Sequence, residues 1–317
     1  MHFVFVMDPV ERVIVDEDTS FDLMLAAEAR GHRVDHCLSQ DIEWCAGQLR
    51  AQVRPATMSR TVAPPVTLGA PTWVDLAAVD VVWIRKDPPF DPPYLWLTLL
   101  CEMLRGQTRV LNDPRALREA NEKLYACHFP ALTPATLVSA SRAGITAFVE
   151  ELGGQAVIKP IDGFAGGGVF VLRRGDANFN VIVETLTEQG QLPVMVQQYL
   201  PEVQTGDKRI LLVDGEPLGA ILRVPQGGDF RSNIHVGGNV QAADLDAADR
   251  CIIAGVAERL RADGLFFVGL DVIGGRLTEV NVTSPTGIQQ MSRLLSRPLS
   301  EDVIRRIEAG GSTARRR

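Results

Sequence analysis

Residues 269–285 read GLDVIGGRLTEVNVTSP, two apolar runs folded back at Gly274-Gly275 with Asp271, Glu279 and Asn281 set among them. A two-residue turn would pair Ile273 with Arg276 and Leu270 with Glu279, mixing apolar and charged side chains on each face. A three-residue turn from Gly274 to Arg276 pairs Ile273 with Leu277 and Asp271 with Glu279. Strand side chains alternate with period two, so only the second register separates the two kinds, and three-residue loops with a left-handed glycine are common. Phe266, Val268, Leu270, Val272, Thr278, Val280 and Val282 then share one face, and Gly269, Asp271, Glu279 and Asn281 the other. Clustered carboxylates repel and resist ionisation. A hard divalent cation relieves this, and Mg²⁺ typically takes one or two carboxylates plus phosphate oxygens. The hairpin alone fits a solvated face equally well, its acids paired by Arg276 or Arg223.

Outward from the hairpin, two lysines stand where phosphates could use them. Lys159 ends an apolar strand just before Asp162–Gly168, a run holding Gly163, Gly166, Gly167 and Gly168. Such a loop can lay backbone N–H groups over phosphates, though the same glycines also serve a plain flexible hairpin. It is neither a Walker loop, because the lysine precedes the glycines, nor a dinucleotide fingerprint. Lys123 is expected on a helix, where an exposed pair with Glu119 would explain it. Arg209 and Arg223 lie at corresponding ends of a hairpin turning at Asp214–Pro217, placed to clamp a phosphate or carboxylate. Residues 225–238, PQGGDFRSNIHVGG, carry two Gly-Gly pairs around Arg231, Asn233 and His235, the composition of a lid.

The bounds fit a globular protein of two or three domains: 317 residues, 46% hydrophobic, net charge −7. The acidic balance offers no footprint for nucleic acid. Five widely spaced cysteines without a CxxC argue against a disulfide framework or zinc site. No apolar run approaches the ~18 residues of a membrane span, and no leader is evident, so a cytoplasmic protein is expected. The first third reads as an open α/β sheet: strands at 2–7, 32–38, 79–84 and 109–112, and helices from Thr19 or Ser20 to Arg30 and over 92–105. A hairpin turning at Gly47-Gln48 and a Pro/Gly-rich loop at 61–72 are expected between them. Asn112-Asp113-Pro114 starts a helix expected to reach about His128. Strands then follow at 155–159, 169–172, 194–198, 209–213, 218–224, 265–273 and 277–282, with helices near 177–188 and 244–262.

In order, NEKL (121–124), IKPIDGFAGGG (158–168), VQQYLP (196–201), GDKRILLVDGEP (206–217), RVPQGG (223–228) and the 270–285 hairpin, with VMDP (6–9) and RKDPPFD (85–91), resemble the ATP-grasp ligases. Within them the match is to the bacterial glutathione synthetase family, over nearly the whole chain to about residue 305. The resemblance implies an α/β (α+β) ATP-grasp fold with an N-terminal open α/β domain over 1–122 on the peptide side. A small subdomain over 123–200 and a C-terminal subdomain over 201–310 would clamp ATP, with a disordered tail at 311–317.

Further implications concern the site. Lys123 and Lys159 would contact ATP phosphates, covered by Gly163, Gly166 and Gly167. The adenine would lie along Gln197, Gln198, Tyr199 and Leu200, with the ribose on Asp207. Asp271, Glu279 and Asn281 would hold Mg²⁺, or Mn²⁺ in its place. Arg209 and Arg223, with Arg231 on the lid, would act on the γ-phosphate and acyl phosphate. Arg85 and the backbone of Val282, Thr283 and Ser284 would position the peptide. The implied reaction joins γ-glutamylcysteine to glycine with ATP, through an acyl phosphate, in a homo-oligomer, a tetramer by resemblance. Another carboxylate–amine ligase of the superfamily would share the ATP and metal residues, and RKDPPFD argues against it. A non-catalytic ATP-binding regulator would show damage to these residues, and all are intact. Gly287, after Ser-Pro-Thr, stands where the family has a side chain.

Overall fold

The computed structural model of the chain describes residues 1–163, 166–225 and 239–310. Arg231, the rest of the expected lid beyond Pro225, and the 311–317 tail lie outside the described residues.

The first sheet holds β1 (His2–Val6), β2 (Arg33–Cys37), β3 (Ile42–Cys45), β4 (Gln48–Met58), β5 (Val66–Leu68), β6 (Thr72–Asp75), β7 (Val81–Ile84) and β8 (Arg109–Leu111). Its order is β3-β4-β2-β1-β7-β8, with β5 and β6 also on β4. The run β2-β1-β7-β8 is parallel. Continuous apolar stretches such as Val81–Ile84 suit strands covered on both faces. Helix α1 (Thr19–Ala29) is capped by Asp18, whose carboxylate accepts from Phe21 N at 2.7 Å, one residue before the expected cap. Helix α2 (Pro92–Glu102) starts at Asp91. The hairpin after β3 turns at Ala46-Gly47, and the expected 61–72 loop contains β5.

Helix α3 (Pro114–Glu119) has the expected Asp113 cap but stops well short of His128. The Asn121 side chain accepts from the N–H groups of Lys123 and Leu124 at 3.0 and 3.1 Å, and the chain restarts as a 3₁₀ turn over Leu124–His128. A side chain that offers the backbone a competing acceptor breaks the helix. Glu119 therefore pairs with Arg115 at 2.7 Å, and Lys123 turns inward.

A four-stranded antiparallel sheet follows: β9 (Thr136–Ser139), β10 (Gln155–Pro160), β11 (Phe170–Arg173) and β12 (Val194–Gln198), ordered β11-β10-β12-β9. It packs against α4 (Arg142–Glu151), which the sequence reading left out, and α5 (Phe179–Leu186). Ile145, Val149, Ile158, Leu172, Val183 and Val196 form a core of their own there.

The last sheet is β15-β14-β13-β16-β17, built from β13 (Asp207–Val213), β14 (Glu216–Val224), β15 (Asn239–Ala242), β16 (Phe267–Ile273) and β17 (Arg276–Asn281). Helices α6 (Ala247–Ala262), α7 (Ile288–Leu295) and α8 (Leu299–Gly310) complete the chain. This sheet shares its cores with the first: Val4, Val82, Leu270 and Val280 belong to one cluster, and Phe3, Trp83, Phe267 and Ile304 to another.

Asn112, 4% exposed, staples the two sheets. Its amide donates to Phe267 O and Val282 O at 3.0 Å each and accepts from Phe267 N at 2.8 Å. Asn112→Ala leaves three buried backbone groups unpaired and should destabilise the fold by about 3 kcal/mol. Chemical denaturation checks this, and a loss below ~1 kcal/mol rejects the staple.

The opening hairpin departs from expectation in its turn and keeps its register. Gly274 and Gly275, at φ +55° and +70°, make a two-residue turn that pairs Ile273 with Arg276. Two left-handed residues match the natural twist of paired strands, so glycine favours this turn. A bulge then inserts Thr278 between the pairs Val272–Leu277 and Asp271–Glu279. Leu277 takes the apolar position expected of Thr278, whose hydroxyl instead donates to Asp271 O at 3.0 Å. Gly287, at φ +109°, opens α7 in a backbone conformation that a side chain would strain.

Candidate active site

The polar faces of β10, β13, β14, β16 and β17 and the C-terminal ends of β1 and β7 enclose a cavity of about 800 Å³. Every described residue expected in the site lines it except Val282. Val282 is 1% exposed with its side chain in the core, and its carbonyl is taken by Asn112. Val282 does not line the cavity, and the tertiary fold uses its carbonyl structurally. Thr283 and Ser284 do line the cavity, and Ser284 Oγ donates to Lys86 O at 2.7 Å.

Asp271 is 4% exposed and Asn281 9%, while Glu279 is half-buried, so this face looks into the cavity rather than into open solvent, although Arg223 does pair Asp271. Arg276 turns away, donating to Ala131 O at 3.2 Å. Asp271 sits instead between two buried arginines. Arg209 grips it through Nε at 2.5 Å and Nη2 at 3.0 Å, and Arg223 approaches at 3.0 Å. These two charges hold Asp271 below the usual carboxylate range against the opposing effect of burial. Arg223 also bonds Asp207, yet burial pushes the Asp207 carboxyl up to about 6, with Asp271 adding to the rise. Arg223 Nε is buried with no hydrogen-bond partner among the described residues.

Glu279 takes Lys159 Nζ at 3.1 Å, across from the small sheet. Its carboxyl is lowered on balance, with the charges of Lys159 and Lys123 outweighing burial. Asn281 spends its N–H groups on Gly269 O and Asp271 Oδ2, at 3.3 and 3.2 Å, and its carbonyl oxygen accepts no hydrogen bond among the described residues. Asp271, Glu279 and Asn281 thus present an all-oxygen set on facing strands, the chemistry Mg²⁺ prefers. Lys123, 4% exposed, donates to Gly163 O at the entry of the glycine loop. Gln197 is anchored by its amide to Thr136 Oγ1 at 3.1 Å, and Gln198, Tyr199 and Leu200 carry the cavity wall past the end of β12.

Glu122 belongs to this group although nothing in its sequence setting but adjacency to Lys123 signals it. Burial, then the nearby Glu279 charge, pushes its carboxyl up to about 7. A folded-state value above the unfolded one means stability that is present at acid pH and lost as pH rises from ~4.5 through 7. Glu122→Gln should therefore gain stability over the parent in that window, by roughly 3 kcal/mol at pH 8 without nucleotide. Thermal unfolding at pH 5 and 8 checks it, and an equal difference at both values rejects it.

The family model described as prokaryotic glutathione synthetase, ATP-grasp domain, matches residues 122–296, and the one for the N-terminal domain of the same family matches residues 1–118. A glutathione synthetase of Synechococcus elongatus is 47% identical over 319 residues, covering 98% of each chain. One from Salmonella typhimurium is 42% identical over 288 residues, covering 90% of this chain and 91% of its own. In structure, a D-cycloserine synthetase aligns with TM-score 0.65 at 18% identity, covering 97% of this chain and 100% of its own. The ATP-grasp ligase PsnB, complexed with a precursor peptide and AMPPNP, aligns at 0.63 and 14% identity, covering 98% of each. The fold is that of the ATP-grasp ligases, and the chain belongs to the prokaryotic glutathione synthetase family.

Proposed function

We propose that this cavity binds MgATP and γ-glutamylcysteine and joins the dipeptide to glycine, releasing glutathione, ADP and phosphate. The observation that carries this reading is the buried set of Arg209, Arg223 and Lys159 facing two carboxylates and an amide oxygen across one cavity, in a chain of this family. The cysteinyl carboxylate attacks the γ-phosphorus, ADP leaves, and the acyl phosphate forms. The glycine amine then attacks the acyl carbon, and phosphate departs with the bonding electrons.

Lys123 and Lys159 offset charge on the phosphates. Arg209 and Arg223, already fixed by Asp271 and Asp207, are preorganised for the transferring group. Mg²⁺, held by Asp271, Glu279 and Asn281, supplies charge neutralisation at phosphate oxygens when bound. Gln197, Gln198, Tyr199 and Leu200 take the adenine and Asp207 the ribose. Arg85 takes the peptide, beside Thr283 and Ser284. The three sheets support units over 1–122, 123–200 and 201–310. Five cysteines, all unpaired, support a cytosolic setting, and family resemblance supports a tetramer.

Phosphate release from MgATP tests the assignment. Release that requires both γ-glutamylcysteine and glycine is expected. Release with another acid–amine pair keeps the ligase and overturns the substrates, and release with none overturns the ligase.

A further inference from the structure

Both carboxylates of the β16–β17 hairpin face protein cations, but the cations differ in kind. Asp271 is gripped by Arg209 and Arg223, whose planar heads fix the carboxylate in place. Glu279 is held by a single lysine that crosses from β10 of the small sheet. Lys159 Nζ lies 3.1 Å from Glu279 Oε1 and 3.5 Å from Thr278 O. The bulge builds the receptor for this lysine. It leaves Thr278 without a partner on β16, so its carbonyl accepts from Lys159 while its hydroxyl donates to Asp271 O. Lys159 is 5% exposed, and a charge so far from water depends on the anion beside it.

A divalent cation that joins Glu279 meets the Lys159 ammonium on the same carboxylate. Like charges so placed repel, and the more strongly where little water screens them. Among the described residues no third carboxylate, histidine or cysteine stands with Asp271 and Glu279 to hold a metal and offset that repulsion. Phosphates reverse the balance. Lys159 lines the cavity together with Lys123, Gly163, Gly166 and Gly167, where a polyphosphate offers its ammonium more negative charge than one carboxylate does. The flexible lysine stem lets the head change partners, which the forked arginines on Asp271 do not. Phosphate oxygens also complete the ligand set that Mg²⁺ prefers alongside one or two carboxylates.

We infer that Lys159 is the internal counter-ion of the metal site, holding Glu279 until the phosphates of a nucleotide take its ammonium and free that carboxylate for a divalent cation. The inference rests on the nucleotide and metal assignments above and adds a second role for Lys159, exclusion of the metal from the nucleotide-free chain. Affinities for nucleotide and metal are then coupled through one side chain, and the coupling is reciprocal. The same exchange releases a tie between the small sheet and the hairpin, since Lys159 belongs to the first and Glu279 to the second.

The test measures Mn²⁺ binding to the full chain without nucleotide, by electron paramagnetic resonance, in the parent, Lys159→Gln and Lys123→Gln. Freeing Glu279 in Lys159→Gln should tighten Mn²⁺ by about 10-fold, within the usual range for two ligands coupled at one site. Lys123→Gln removes an equal charge, but one seated on Gly163 O, and should change Mn²⁺ binding by less than ~3-fold. The gain should vanish in Lys159→Gln/Glu279→Gln, which places the metal on the hairpin. Lys159→Met, which keeps most of the apolar stem, gives the same comparison if the glutamine variant does not fold. A lysine that only holds phosphates predicts weaker ADP binding in Lys159→Gln and unchanged nucleotide-free Mn²⁺ binding, and that result overturns the inference. Equal gains from both lysines, or a gain that survives loss of Glu279, overturn it as well. Absence of phosphate release by the parent, by contrast, removes the ligase reading and leaves the metal comparison to judge Lys159 by itself.

Discussion

Glu279→Gln should lower kcat/KM for ligation by roughly 10³-fold while leaving the unfolding midpoint within a few degrees of the parent. Glutamine keeps the shape and the hydrogen bond from Lys159 Nζ, now 3.1 Å away, and removes only the charge. That charge is one of two carboxylates in an oxygen set on facing strands, the other being Asp271. Asp271 is already shared between two arginines. Without Glu279 a divalent cation held as proposed would lose the carboxylate least committed to protein cations, and the loss of a group that stabilises transferring charge is typically 10²–10³-fold. Steady-state rates over a Mg²⁺ titration, with Mn²⁺ binding followed by electron paramagnetic resonance, read the outcome. Near-normal turnover at saturating Mg²⁺ would remove Glu279 from the ligand set.

Arg223→Met attacks the same site through its cations, and here the fold itself should suffer. Arg223 is 3% exposed and faces both Asp207 and Asp271. Its removal leaves two buried carboxylates with one cation fewer, a change that typically costs 3–5 kcal/mol. The sign of the pH dependence follows from Asp207. Its folded-state carboxyl, about 6, already lies above the unfolded value, so its contribution is intact at acid pH and lost as pH rises through the folded value. Loss of Arg223 raises that value further, so the deficit should widen between pH 5 and pH 8. Thermal unfolding at both pH values, with Arg223→Met/Asp207→Asn as partial rescue, checks the account. A deficit under ~1 kcal/mol that ignores pH would sink it. Ligation should fall by roughly 10³-fold in either background.

What the sequence revealed of this site, and what it hid, follows from the range of the forces involved. The pairing of Asp271 with Glu279 was readable because period-two alternation is local and admits one register that keeps charge off the apolar face. The bulge at Thr278 was not, since a two-residue turn plus one inserted residue and a three-residue turn give the same pairing further along. Asn121–His128 reads as helix by propensity, and the break depends on one side chain accepting two backbone N–H groups. Resemblance alone placed Val282 beside a substrate, and it could not reveal that the carbonyl is claimed by Asn112, 170 residues away in sequence. Glu122 carries no local mark because its environment is made by Glu279 and Lys123 only after folding. The helices over 288–310 are a different case. Leu299, Val303, Ile304 and Ile307 repeat at helical spacing, so the signal was there to read.

The division of the hydrophobic interior has a consequence for how sequence change accumulates in this chain. The first and last sheets share clusters, whereas Ile145, Ile158, Leu172 and Val196 belong to a separate one under the small sheet. Substitutions without shared partners act additively, and those in one packed cluster do not. Changes inside the small sheet should therefore combine freely with changes elsewhere, each behaving the same in either background. A change at Val4 or Val82 should instead alter what is tolerated at Leu270 and Val280, on the strand pair that carries Asp271, Glu279 and Asn281. Epistasis around the β16–β17 hairpin should run back to the N-terminal strands and bypass the small sheet.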